Sequence, residues 1–141
     1  MQIVSAAGVK VEYALSSIMN IEQASFAGDY ITIDDFNEHY ERTYLLLDID
    51  QNILGYYMWY PQNDNQAYLY SIAIDKYHQG NGYSKLMLEH FLTVSGYNTH
   101  CLHVNPSNTK AMHLYSKYGF VQTQFIENFY EDGASAALMF K

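Results

Sequence analysis

The run AYLYSIAIDKYHQGNGYSK, residues 67–85, passes from a strand-like segment through a glycine-rich loop into a helix. Residues 67–74, AYLYSIAI, combine aromatic and β-branched side chains without a breaker, as a strand requires. From Asn81 the period becomes helical: Tyr83, Leu86, Met87, His90, Phe91 and Val94 form a stripe, and Gly96 lies just past its end. Between the two stands QGNGYSK (79–85). A helix N-terminus offers unpaired backbone N–H groups and a partial positive charge, and glycine lets an anion approach the main chain. The loop therefore reads as a pyrophosphate cradle. Two familiar cradles do not fit. The P-loop spacing fails because Lys85 follows Ser84, and the dinucleotide fingerprint lacks a third glycine where Lys85 stands.

Working outward, residues 14–26 place Leu15, Ile18, Met19 and Phe26 at mostly helical spacing, with Gly28 as a stop. Thr32 opens TIDDFNEHYER, where a hydroxyl three residues before an acid predicts a capping box. TYLLLDI (43–49) and ILGYYMWY (53–60), joined by Asp50, Gln51 and Asn52, read as a hairpin. On the other side, HCLHV (100–104) is a short strand. Residues 107–118 are a helix, with Ala111, Leu114, Tyr115 and Tyr118 at i, i+3, i+4 and i+7 before Gly119. Strands over roughly 120–127 and 134–140 follow. The plan is α/β (α+β) with a mixed sheet, and 141 residues fit a single domain, 1–141.

Fifteen acidic residues against seven basic ones give a net charge of −8. That argues against nucleic acid, whose phosphates demand clustered Lys and Arg. It permits a cationic substrate, although plain solubility is the simpler explanation of a total charge. The one cysteine, Cys101, excludes an internal disulfide framework and a multi-cysteine metal site. The opening MQIVSAAGVKVEYA lacks the order of a signal peptide, and no apolar run approaches the ~20 residues of a membrane span. A cytoplasmic protein with no membrane partner is expected.

Gln79, Gly82 and Ser84 stand at the defining places of a Gln/Arg-x-x-Gly-x-Gly/Ala loop, with Ser where Gly or Ala is usual. A second block, VNPSNTKAMHLYSKYGF (104–120), carries Asn108, Ala111, Leu114, Tyr115, Gly119 and Phe120 in matching order. Together they resemble the GCN5-related N-acetyltransferases. The resemblance implies a central mixed, mostly antiparallel sheet flanked by about four helices, with a cofactor cleft between the fourth and fifth strands. It implies acetyl-CoA as co-substrate and no metal. Ile72, Ala73 and Ile74 would hold the pantetheine arm, as would Asn108, which is also an ordinary helix cap. Gln79, Gly80, Asn81, Gly82, Tyr83, Ser84 and Lys85 would grip the pyrophosphate, although an exposed, solvated lysine is a standing alternative for Lys85. NIEQASF (20–26) and NFYEDGASAALMF (128–140) are similar to the ribosomal-protein alanine N-acetyltransferase group. Phe129–Tyr130 stands there in place of a Tyr pair, and Ser135 in place of an acid.

Acetyl transfer from a thioester needs a neutral amine, a donor for the developing oxyanion and a proton for the departing thiolate. By resemblance Tyr115 is the acid and the main-chain N–H near Ile74 meets the oxyanion. A phenol near pH ~10 keeps its proton at neutral pH. Strand alternation puts His103 on the face opposite Leu102 and Val104, and an imidazole near ~6.5 suits a base. A surface-bonded histidine fits that position equally. Asp29, Asp34, Asp35, Glu38 and Glu41 cluster where the family's acceptor binds, or form a solvated helix face. The expected activity is acetyl transfer by direct attack to a primary amine: a peptide or protein N-terminus, or a small amine. A non-catalytic acyl-CoA sensor and a transferase of another acyl group stand as alternatives, and the oligomer is a monomer or homodimer.

Overall fold

The computed structural model describes residues 1–25 and 32–141, with the backbone alone for 23–25. Phe26, Gly28 and Asp29 lie outside the described residues. The elements run β1 (Gln2–Ser5), α1 (Val11–Ser25), α2 (Ile33–His39), β2 (Thr43–Leu47), β3 (Ile53–Asn63) and β4 (Gln66–Ile74). They continue with α3 (Tyr83–Val94), β5 (Thr99–Val104), α4 (Thr109–Lys117), β6 (Val121–Ile126) and β7 (Ala136–Phe140). The strands form one sheet in the order β1-β2-β3-β4-β5-β7-β6. Each neighbouring pair is antiparallel except β4 and β5, which run parallel.

Strand alternation sends the sheet's apolar side chains to two cores. On one face Leu46, Tyr57, Trp59, Leu69, Leu102 and Met139 pack with Met87, Leu88 and Phe91 of α3 and Tyr115 of α4. On the other, Leu45, Leu47, Tyr56, Met58 and Ala73 pack with Ala14, Ile18 and Ile21 of α1 and Phe36 of α2. Thr32 caps α2 as expected: its hydroxyl accepts from Asp35 N while the Asp35 carboxylate accepts from Thr32 N, both at 3.0 Å. Such a cap is worth about 1 kcal/mol. The hairpin turn begins earlier than Asp50. Asp48 Oδ1 takes the N–H of Asp50 and of Asn52, and Gln51 adopts a φ of 68°.

Two local expectations change. The strand β1 has only four residues, and its apolar signal is too short to stand out from its flanks. In α3 the buried stripe is Met87, Leu88 and Phe91, while Leu86 and Val94 are exposed, because the helix is covered by the sheet on one side alone.

The feature that shapes the site is in β4. Met58 pairs with Ser71 but Trp59 pairs with Leu69, so Tyr70 is an extra residue bulged out of the ladder. A bulge bends its strand and ends regular pairing. The β4–β5 register covers Gln66–Leu69 against Thr99–Leu102 and goes no further among the described residues. Both strands continue, β4 with β3 and β5 with β7, so a wedge opens between them.

Gly55 lets β3 lie close against the end of β4. A Cβ there would stand 2.6 Å from Ile74 Cδ1 and 2.8 Å from the Ala73 carbonyl oxygen. Gly55→Ala is expected to cost about 2 kcal/mol through overpacking against main chain. In thermal unfolding this reads as a Tm lower by roughly 5–10 °C; an unchanged Tm would refute the tight approach.

Candidate active site

The glycine loop sits where β4 ends and α3 begins. Gly80 and Gly82 hold φ values of 83° and 77°, and a Cβ at either would meet nothing within 4 Å. Gly82 is the N-cap of α3 and brings no side-chain cap, so the first-turn N–H groups face outward. Gln79 Nε2 donates to the Ile74 carbonyl at 3.3 Å and ties the loop back to the strand. Asn81 Nδ2 donates to the His78 carbonyl at 2.9 Å, and His78 Nδ1 lies 2.7 Å from Asp75 Oδ2. A cavity of about 250 Å³ at the helix start is lined by Gly82, Lys85, Leu86 and Glu89. Lys85 is exposed; Lys76 lies over the Tyr77 ring at 4.9 Å. Asn108 caps α4, accepting from Ala111 N at 3.2 Å.

The wedge itself is lined from both faces. Ile72 packs on the α3/α4 core, while Ala73 faces the α1/α2 core. Tyr115 projects from α4 into the former, edge-on to Phe120 at 5.8 Å. Burial, reinforced by Tyr130, pushes its phenol far above the ordinary range, so it holds its proton. His103 projects to the opposite face, as alternation predicts. Its Nδ1 is 2.7 Å from the Tyr68 hydroxyl, and its ring stacks on Phe129 at 4.3 Å. Burial lowers the imidazole below 6.5 and raises the Tyr68 phenol well above 10. The two are hydrogen-bonded, and the lowering of the imidazole by burial favours its neutral form. Tyr130 raises both Tyr68 and Tyr115, which places its phenol within electrostatic reach of both faces of the wedge.

Four residues here escape sequence reasoning. Tyr68 meets His103 only through the parallel register of β4 and β5. Tyr130 reaches the wedge through the β6–β7 connection, turned by Gly133 with a φ of 86°. Glu22 is 1% exposed and accepts from Ser71 Oγ at 2.8 Å, and Ser71 in turn bonds the Tyr56 hydroxyl at 2.7 Å. A signal for Glu22 existed: it stands four residues after Ile18, on the buried stripe of α1. The acidic cluster divides. Asp35 accepts from the Tyr70 hydroxyl at 3.0 Å, while Asp34, Glu38 and Glu41 are exposed. Cys101 is buried, its thiol pushed up by burial and donating to Gln62 Oε1 at 3.0 Å, the opposite of a thiolate nucleophile.

Comparison with known proteins bears on the family and the fold. The model of the acetyltransferase (GNAT) family matches residues 14–120. The chain belongs to that family, and is therefore an acyltransferase. It is similar to an uncharacterised N-acetyltransferase of Methanocaldococcus jannaschii, 27% identical over 133 residues, which are 90% of this chain and 85% of that one. It is similar to the spermidine N(1)-acetyltransferase of Vibrio cholerae, 28% identical over 133 residues, 84% of this chain and 77% of that one. Its fold resembles the ribosomal-protein-S18-alanine N-acetyltransferase of Escherichia coli, with a TM-score of 0.82 at 26% identity, covering 99% and 91% of the two chains. Structures of the same fold at 19–21% identity hold CoA or acetyl-CoA. No helix among the described residues is long and apolar enough to cross a membrane.

Burial fixes the sign of the histidine titrations. His39, His90, His100 and His103 all sit below 6.5, each chiefly through burial. The unfolded chain therefore binds more protons than the folded one just under pH 6.5. Stability on their account is full above 6.5 and is lost as pH falls through the lowered values. In an NMR titration His103 should show a midpoint below 6.5, moving up in Phe129→Ala as water reaches the ring. A wild-type midpoint at or above 6.5 would contradict the burial.

Proposed function

We propose that the whole chain acts as one N-acetyltransferase domain that moves the acetyl group of acetyl-CoA to a primary amine by direct attack. The observation that carries this reading is the pairing of a neutral His103, bonded through Tyr68, with a protonated Tyr115 across the β4–β5 wedge. Acetyl-CoA supplies the acetyl group as a thioester. The residues present suit it: Gly80, Gly82 and the start of α3 for the pyrophosphate, with Gln79, Asn81, Tyr83, Ser84 and Lys85 around them. The edge Ile72–Ala73–Ile74 would hold the pantetheine arm, together with Asn108.

An acceptor ammonium gives its proton to the Tyr68 hydroxyl as Tyr68 passes its own to His103 Nδ1. The freed amine forms the carbon–nitrogen bond as the thioester's carbon–sulfur bond breaks. Tyr115 gives its proton to the departing thiolate. Of the two protons the nitrogen loses, one leaves through His103 to water and the other replaces that of Tyr115. Products are an amide, a free thiol and one proton. Burial keeps each group in the protonation state its task requires at neutral pH. The relatives' acceptors range from a spermidine amine to an alanine N-terminus, which is consistent with a primary amine as the shared chemistry.

Thiol release from acetyl-CoA across short peptides, polyamines and other amines tests the activity. Turnover with at least one amine supports the reading, and saturable acetyl-CoA binding without turnover would replace it with a sensor. Within an active enzyme, Tyr115→Phe should lower kcat by roughly 10²–10³-fold and leave acetyl-CoA affinity nearly intact. His103→Gln should remove the low-pH limb of kcat/KM, which in the wild type reports protonation of a lowered imidazole. Survival of that limb would assign the base elsewhere.

A further inference from the structure

A cavity of about 490 Å³ lies on the α1/α2 side of the sheet, walled by Tyr60, Tyr70, Asp35 and Glu38, with Arg42 and His39 behind. Neither the glycine loop nor the wedge uses it. The Tyr60 and Tyr70 rings stand 5.8 Å apart at 54°, and two phenol faces beside carboxylates attract a cation. Asp35 and Glu38 against the Arg42 guanidinium leave one net negative charge. Arg42 Nη2 is engaged at 3.1 Å by His39 Nδ1. His39 stacks on Tyr60 at 4.9 Å and, lowered by burial, adds no positive charge at neutral pH. The chain's overall charge of −8 draws cations from further out.

The cavity adjoins the proposed base. The Tyr70 ring is 6.5 Å from that of Tyr68, and Tyr60 contacts both, at 5.8 Å and 5.1 Å. A short aliphatic chain can bridge the Tyr68 and Tyr70 rings. We propose that the acceptor is a flexible aliphatic diamine or polyamine. Its reacting amine meets Tyr68 and His103, and a second ammonium a short aliphatic chain away is held by Tyr60, Tyr70, Asp35 and Glu38. This rests on the N-acetylation reading and supplies its substrate class.

The test compares 1,4-diaminobutane with 1-aminobutane, equal in carbon count and differing by one ammonium. Calorimetric titration of the full chain saturated with CoA should show the diamine binding at least about tenfold more tightly. The same ratio should appear in kcat/KM. Asp35→Asn with Glu38→Gln should bring the ratio to within about twofold of one. Because Asp35 also caps α2, Glu38→Gln alone provides the second variant: its side chain is 72% exposed, and the ratio should fall by about threefold. Equal binding of the two amines, or a ratio indifferent to both variants, overturns the proposal. So does exclusive turnover of peptides, and in that case the N-acetylation reading survives. Charge-dependent diamine binding with no turnover of any amine reverses the outcome: the cation site stands and the acetyltransferase reading fails.

Discussion

Past the extra residue at Tyr70, β4 stays paired with β3, while its parallel ladder with β5 goes no further than Leu69 and Leu102 among the described residues. The proposed chemistry is built around that parting. Beyond Leu69 the β5-facing side of β4 has no ladder partner among the described residues and borders a cleft, with the Ile74 carbonyl taken by Gln79 Nε2. His103, one residue beyond the last paired position of β5, meets Tyr68 across it. A regular ladder would have filled the same space with backbone hydrogen bonds and left no room for a ligand.

The two faces of the sheet then divide the work. The α3/α4 face contributes a dry tyrosine, held protonated by burial, and the start of α3 contributes a positive helix end with glycines that leave it open. The α1/α2 face is more polar: the pairs Tyr68–His103, Tyr70–Asp35 and Ser71–Glu22 are hydrogen-bonded at 2.7–3.0 Å. Under the proposed reaction the donor and acceptor substrates would approach from opposite sides, the arrangement a direct transfer requires. Burial shifts the imidazole down and both phenols up, which favours the neutral forms that the proposed base and acids need.

Much of this was legible in the sequence, for reasons that differ by element. The glycine loop showed itself because Gly80 and Gly82 take left-handed backbone that other residues avoid, and Thr32 and Asp35 showed theirs by capping spacing. The face of His103 followed from strand alternation alone. What did not show depends on long-range register. Tyr68 is one aromatic among fifteen tyrosines until β4 lies beside β5, and Tyr130 joins the wedge only when the β6–β7 connection folds back. The bulge at Tyr70 has no local marker, since it arises from a mismatch between two strands.

The central claim is that the β4–β5 wedge receives the cofactor between the Ile72–Ile74 edge and Tyr115. A crystal structure of the chain with CoA tests it most directly. The account predicts the thiol sulfur within about 4 Å of the Tyr115 hydroxyl, with the pyrophosphate on the first turn of α3. CoA bound outside the wedge, or a β4–β5 ladder continuing past Leu69 and Leu102, would contradict it.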